Sequence, residues 1–173
     1  MNDTSLPSLD NFIDIGPLLS QDFHKNGHVL LKGVLTPVEA GVYRDVINEA
    51  AYKFNTEKRK MEERDTYGKA FLQIMNLWEV DRQVRKFTLA KRFAKIAATL
   101  LGVQNVRLYH DQALYKEPGG GFTPWHQDQY YWPLSTTNTV TMWMPLIDIN
   151  EEMGMLTFAS QSHTGGFVEN VAI

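Results

Sequence analysis

Trp125-His126-Gln127-Asp128-Gln129-Tyr130-Tyr131-Trp132-Pro133 is the stretch on which the reading of this chain turns. In an extended segment the side chains at i and i+2 point to one face. His126 and Asp128 can therefore converge on a single point. One neutral nitrogen donor and one anionic oxygen donor, joined by a third ligand from elsewhere, make the 2-His-1-carboxylate facial triad. That triad binds Fe(II) and leaves positions open for a co-substrate and O2. Taken alone, His-x-Asp also describes a surface pair or a hydrogen-bonded core histidine, so the surroundings carry weight.

Upstream stands Tyr115-Lys116-Glu117-Pro118-Gly119-Gly120-Gly121. Downstream come the strand-like Val140-Thr141-Met142-Trp143-Met144-Pro145-Leu146-Ile147-Asp148, then Met153-Gly154-Met155-Leu156-Thr157-Phe158, and finally Ser160-Gln161-Ser162-His163. In this order the segments resemble the phytanoyl-CoA dioxygenase family. Its members are Fe(II)- and 2-oxoglutarate-dependent oxygenases built on a double-stranded β-helix. The detailed likeness runs from about Asp111 to Gly165, and a looser likeness of helix and strand order covers the rest.

The resemblance implies an α+β chain with a mainly β core, a jelly-roll or cupin-like β-helix braced by N-terminal helices. It implies one domain over 1–173, helix-rich over 1–104, with the first part of the β-helix over 105–173. The implied activity is hydroxylation of a small organic molecule using Fe(II), 2-oxoglutarate and O2. His126 and Asp128 are the implied metal ligands. Aligned on Lys116-Glu117-Pro118, Gln112 falls where the family holds 2-oxoglutarate, and Trp143 borders the same pocket.

Departures from the family pattern are visible too. Met153 stands where an Asn is more frequent before the glycine, and Ser160-Gln161 replaces a Pro-Gly. The family's distal His ligand and the Arg that clamps the far carboxylate of 2-oxoglutarate as a bidentate pair find no counterpart. Only Phe167-Val168-Glu169-Asn170-Val171-Ala172-Ile173 follows Gly166. Against the family the chain therefore looks C-terminally truncated, with the last strands missing. His163, the only His after Asp128, is a candidate substitute ligand.

The 173 residues fit one domain. With 43% hydrophobic and 21% charged residues, the composition is that of an ordinary globular protein. A net charge of −3 offers no footprint for nucleic acid. No apolar run approaches the roughly 20 residues of a membrane span, and the first residues carry no signal-peptide pattern. The absence of cysteine excludes disulfides and thiolate metal sites. It fits a reducing compartment, and a cytoplasmic location is expected. The expected partner is a small molecule, with neither nucleic acid nor membrane, and the oligomeric state is undetermined.

Taken in order, Leu18 to Asn26 reads as a short helix stopped by Gly27, and 28–34 as a strand. Thr36-Pro37-Val38-Glu39 reads as a helix start with an N-cap, a proline at N1 and a capping box. That helix runs to about Asn55, with Val42, Val46, Ile47 and Ala50 on one face. Glu57 to Arg64 is a charge run of both signs, read as a solvated, partly helical or mobile loop. The stretch 70–78 reads as extended, Asp81 starts another helix, and Leu89 to Leu101 forms the next, ended by Gly102. Residues 105–116 read as a long strand, and Gly119-Gly120-Gly121 as a flexible loop. That loop lacks the Lys-Ser/Thr ending of a phosphate cradle. Thr139 to Ile149 alternates, with Val140, Met142, Met144 and Leu146 on one face and Thr141, Trp143 and Pro145 on the other.

Trp125, Tyr130, Tyr131 and Trp132 are the candidate substrate-lining residues, pointing to an apolar or ring-bearing molecule. The same aromatic cluster also reads as plain core. Two further readings compete with the enzyme. One is an inactive or truncated homologue that serves as a binding or interaction domain. The other is a cupin-like metalloprotein using His126, Asp128 and His163.

Overall fold

The computed structural model describes residues 6–166. Six α-helices precede or flank one small sheet: α1 (Pro17–Asn26), α2 (Pro37–Phe54), α3 (Thr66–Ala70), α4 (Leu77–Val80), α5 (Arg82–Thr88) and α6 (Lys91–Leu101). Strands β1 (Leu72–Met75) and β2 (Gln112–Tyr115) pair antiparallel, with Leu72 opposite Tyr115 and Met75 opposite Gln112. The described residues are thus α+β, helix-rich over their first part.

The helix ends follow local chemistry. Gly27 and Gly102 close α1 and α6 in the left-handed conformation, which glycine adopts without a Cβ penalty. Thr36 and Glu39 form the capping box: Glu39 N–H donates to Thr36 Oγ1 at 3.2 Å, and Thr36 N–H donates to Glu39 Oε2 at 2.8 Å. Asp81 caps α5 by accepting from the Gln83 and Val84 amides.

Three apolar clusters join these elements. Ile47, Ala50 and Ala51 of α2 meet Ile74 of β1, Leu77 of α4 and Val84 of α5. Tyr43 of α2 packs with Leu9, Ala90 and Phe93, and Ile15 packs with Ile96 and Leu100 of α6. Tyr43 and Ile96 are each 1% exposed, so truncating either to Ala removes about 2–5 kcal/mol. The face expected for α2 is shifted by part of a turn. Tyr43, Ile47, Ala50 and Ala51 are its buried residues, while Val42 and Val46 are half-buried.

Alternation divides the two-stranded sheet. Leu72, Ile74, Ala113 and Tyr115 meet the α2–α5 cluster, which leaves Gln73, Met75, Gln112 and Leu114 on the opposite face. Asp111 fixes the register where β2 begins. Its carbonyl accepts from the Asn76 amide, and its carboxylate accepts from the Trp78 amide and the Thr88 hydroxyl. Asn76 takes φ 56°, a left-handed conformation that Asn tolerates, and this ends β1 and starts α4.

Several expected strands do not form. Residues 28–34, 105–111, 139–149 and 155–158 belong to no ladder, and the strand foreseen over 105–116 shrinks to Gln112–Tyr115. Alternating side chains suffice to propose a strand, but a ladder requires a partner strand. Among the described residues only β1 and β2 find one another. The double-stranded β-helix is accordingly not formed by the described residues. Val29 and Leu31 instead pack as an extended edge of the α6 cluster.

The glycine loop also departs from expectation. Gly121 N–H donates to the Lys69 carbonyl at 2.9 Å, and a Cβ on Gly120 would lie 2.7 Å from the Lys69 oxygen and 3.0 Å from the Glu117 oxygen. The loop is packed against α3, and Gly120 is the residue whose backbone approach leaves no room for a side chain.

Candidate metal centre

His126 and Asp128 lie where the chain leaves the glycine loop and enters a 3-10 turn, Asp128–Tyr131. Pro133 follows closely and the backbone ahead is extended, so no helix withdraws the two side chains from one another. His126 Nε2 stands 3.2 Å from Asp128 Oδ1. His126 Nδ1 lies 2.9 Å from the Pro124 carbonyl, and the Thr141 hydroxyl donates to Asp128 Oδ2 at 2.8 Å.

These three contacts specify the chemistry of the pair. A carbonyl only accepts, so Nδ1 must carry the proton that faces Pro124. In the neutral ring Nε2 then presents a lone pair toward a carboxylate oxygen. Two acceptors at that distance repel unless a proton or a cation lies between them. A proton on Nε2 makes the contact an ordinary His–Asp ion pair; a cation in its place would meet the same two donors, with the other ring nitrogen held by a carbonyl as metal-ligating imidazoles are. Thr141 holds the far carboxylate oxygen and turns the near one toward His126. It comes from the stretch 139–149.

No group of three His, Cys, Asp or Glu side chains gathers around a metal-sized point among the described residues. His163, the candidate third ligand, is not brought to the pair. Its Nε2–H donates to the His24 carbonyl at 3.0 Å, and its ring lies over Gly27 at the end of α1. The neighbouring Gln161 amide donates to the Asn26 carbonyl, and the Ser160 hydroxyl meets His28 Nε2 at 2.9 Å. The Ser-Gln-Ser-His turn thus docks on the C-terminal end of α1.

The aromatic candidates divide. Tyr131 meets the His126 ring edge-on with centroids 6.0 Å apart, and Tyr130 packs on Tyr131. Trp132 turns instead toward Tyr109 and His110, and Trp125 is 62% exposed. Burial raises the Tyr131 phenol above its ordinary value, with neighbouring Tyr130, Tyr67 and Asp128 adding to the rise. Gln112 is exposed on the free sheet face beside Met75 and Gln73, and Trp143 is half-exposed.

Tyr67 is not among the residues the sequence singles out, and Gln73, which could face a pocket, reads more readily there as an ordinary polar strand position. Tyr67, on α3, has its phenol pushed up by burial, drawn back by a hydrogen bond with Gln73, and raised again by the charge of Asp128. Both residues line a cavity of about 200 Å³ with Arg59, Arg64 and Phe71. A larger hollow of about 440 Å³ shares only Gln73 with it. Lined otherwise by residues such as Phe54, Met75 and Val80, it carries no metal-ligating pair. Gln73 had an available signal in its alternation with Ile74, but Tyr67 had none, because its approach depends on how α3 meets the glycine loop.

Taken together, the donor pair, its carbonyl-held imidazole and the carboxylate fixed by Thr141 define a candidate mononuclear metal centre. The family model for phytanoyl-CoA dioxygenase (PhyH) matches residues 23–172, and the chain belongs to that family. No curated protein and no solved structure matches the chain significantly.

Proposed function

We propose that the chain is an Fe(II)- and 2-oxoglutarate-dependent dioxygenase that hydroxylates a small organic molecule. The observation that carries this reading is the approach of His126 Nε2 to Asp128 Oδ1 with the Nδ1 proton already committed to Pro124. Membership of the family supports Fe(II) as the cation and 2-oxoglutarate as the co-substrate. When bound, iron and 2-oxoglutarate together supply the oxidising power that activates O2 toward a C–H bond.

The chain's own residues orient and exclude. His126 and Asp128 supply two protein donors, with Pro124 and Thr141 fixing their rotamers. Gln112 and Gln73, on the free face of the sheet, offer amide donors to a carboxylate or carbonyl oxygen, and Trp143 supplies an apolar wall. Tyr131 and Tyr130 bound the entrance beside His126, with Trp125 and Trp132 on its outer rim. In this reading the stretches 105–111, 139–149 and 155–158 correspond to strands of the family's double-stranded β-helix, although they form no ladder among the described residues.

Succinate formation tests the reading. Wild-type protein supplied with Fe(II), 2-oxoglutarate and O2 should form succinate, faster with ring-bearing apolar molecules present, and Asp128→Ala should form none. Equal rates in the two proteins would contradict it. One observation favours a second reading, a non-catalytic interaction domain: two donors rather than three gather among the described residues. Under that reading the wild type retains no metal and Asp128→Ala changes nothing.

A further inference from the structure

Read from composition, Glu57 to Arg64 is a solvated charge run, and Arg64 contradicts that reading. Its side chain is 9% exposed. Its guanidinium donates through Nη1 and Nη2 to the two carboxylate oxygens of Glu117, through Nη1 to the Gly68 carbonyl at 3.4 Å, and through Nε to the Arg59 carbonyl at 3.3 Å. A planar fork matched to one carboxylate is a geometry that lysine cannot reproduce.

The same turn is held at further points. Asp65 caps α3 by accepting from the Gly68 amide at 2.7 Å. At the other end of α3 the Lys69 carbonyl receives the Gly121 amide, with Gly120 seated directly against it. Lys116 reaches back over the Phe71 ring, 4.0 Å from its centroid, and donates to the Gly121 carbonyl at 2.9 Å. The turn Glu117–Gly121 is thereby fastened to residues 64–71 by an ion pair, a backbone bond and an excluded Cβ. His126 follows a few residues on, in a stretch without a ladder of its own. Its nearer contacts are to Pro124, Asp128 and Tyr131, and the clamped turn is the point just upstream at which this stretch is tied to α3.

We propose that Arg64 is a positioning residue for the His126–Asp128 pair, acting through Glu117 to clamp the preceding turn onto α3. Resting on the metal reading above, it assigns to the charge run the task of fixing the height of the metal-bearing stretch and of bringing Tyr67 alongside Asp128.

The test pairs two readouts on the full chain: hydrogen–deuterium exchange without metal, and Mn(II) affinity. In Arg64→Ala, exchange across 117–131 should rise several-fold while α2 and α6 stay as in the wild type. Mn(II) affinity should fall about tenfold, the scale on which outer partners act on a metal site. Arg64→Lys should recover only part of both, and Glu117→Gln, which keeps the volume of the pair, should reproduce the loss if Arg64→Ala does not fold. Unchanged exchange over 117–131 overturns the clamp. Faster exchange there with undiminished Mn(II) affinity overturns the positioning role. A wild type that takes up no Mn(II) refutes the metal reading, while the exchange data still decide whether Arg64 holds the turn.

Discussion

Glu39→Gln is the substitution whose consequence the structure prescribes most fully. Arg92 is 3% exposed and its partner Glu39 side chain 13%. The guanidinium donates to both Glu39 oxygens, to the Val34 carbonyl at 2.9 Å, and to the backbone and side-chain oxygens of Asn11. One cation thus ties α6, α2 and the chain ahead of α1. The Arg92 hydrogen bonds hold the Glu39 carboxyl down from 4.5 to about 2, with the Thr36 contacts assisting and partial burial opposing. That depression corresponds to about 3 kcal/mol, of which about 2 kcal/mol survives once screening at the exposed edge is allowed for. Because the folded-state value lies below the unfolded one, this contribution is fully present above about pH 4.5 and is lost as pH falls through about 2. Gln keeps the shape and can still accept from the Thr36 amide, so the helix cap survives while the buried cation loses its counter-charge. Urea unfolding followed by circular dichroism at pH 7 should show a loss of about 2–3 kcal/mol at unchanged slope. The gap to wild type should narrow as pH is lowered from 4.5 toward 2. A loss below about 0.5 kcal/mol at pH 7, or a gap independent of pH, would refute the reasoning.

Three more outcomes follow from the geometry. Thr141→Val removes the hydroxyl that orients Asp128 and should weaken metal affinity about tenfold by calorimetric titration, with thermal stability little changed. Gly120→Ala drives a Cβ into the Lys69 and Glu117 carbonyl oxygens and should cost about 1–3 kcal/mol, seen as a melting temperature lowered by several degrees. Metal affinity should fall as the medium is acidified, since a proton and a cation compete for the same His126 lone pair. An affinity flat with pH would argue against a nitrogen ligand.

What the sequence disclosed was mostly local. The capping box at Thr36–Glu39, the stops at Gly27 and Gly102, and the cap at Asp81 depend on residues a few positions apart, and each stands where its pattern put it. His126 and Asp128 were legible for the same reason, their convergence needing only an extended backbone. What escaped depends on contacts across the chain. Nothing near Arg92 in sequence announces Glu39 or Asn11 as its partners. Arg64 hid within a run of exposed charges, and Tyr67 gained its neighbours from the packing of α3 on the glycine loop. The alternation at 139–149 suggested a strand but could not supply it with a partner. His163 is the reverse case: position in the chain suggested a ligand, while its Nε2 is bonded to the His24 carbonyl of α1.

Anaerobic titration of the 173-residue chain with Fe(II), with and without 2-oxoglutarate, tests the central claim most directly. The account predicts a weak visible charge-transfer band that requires both components and disappears in Asp128→Ala. A wild-type chain that shows no band and retains no iron would contradict it.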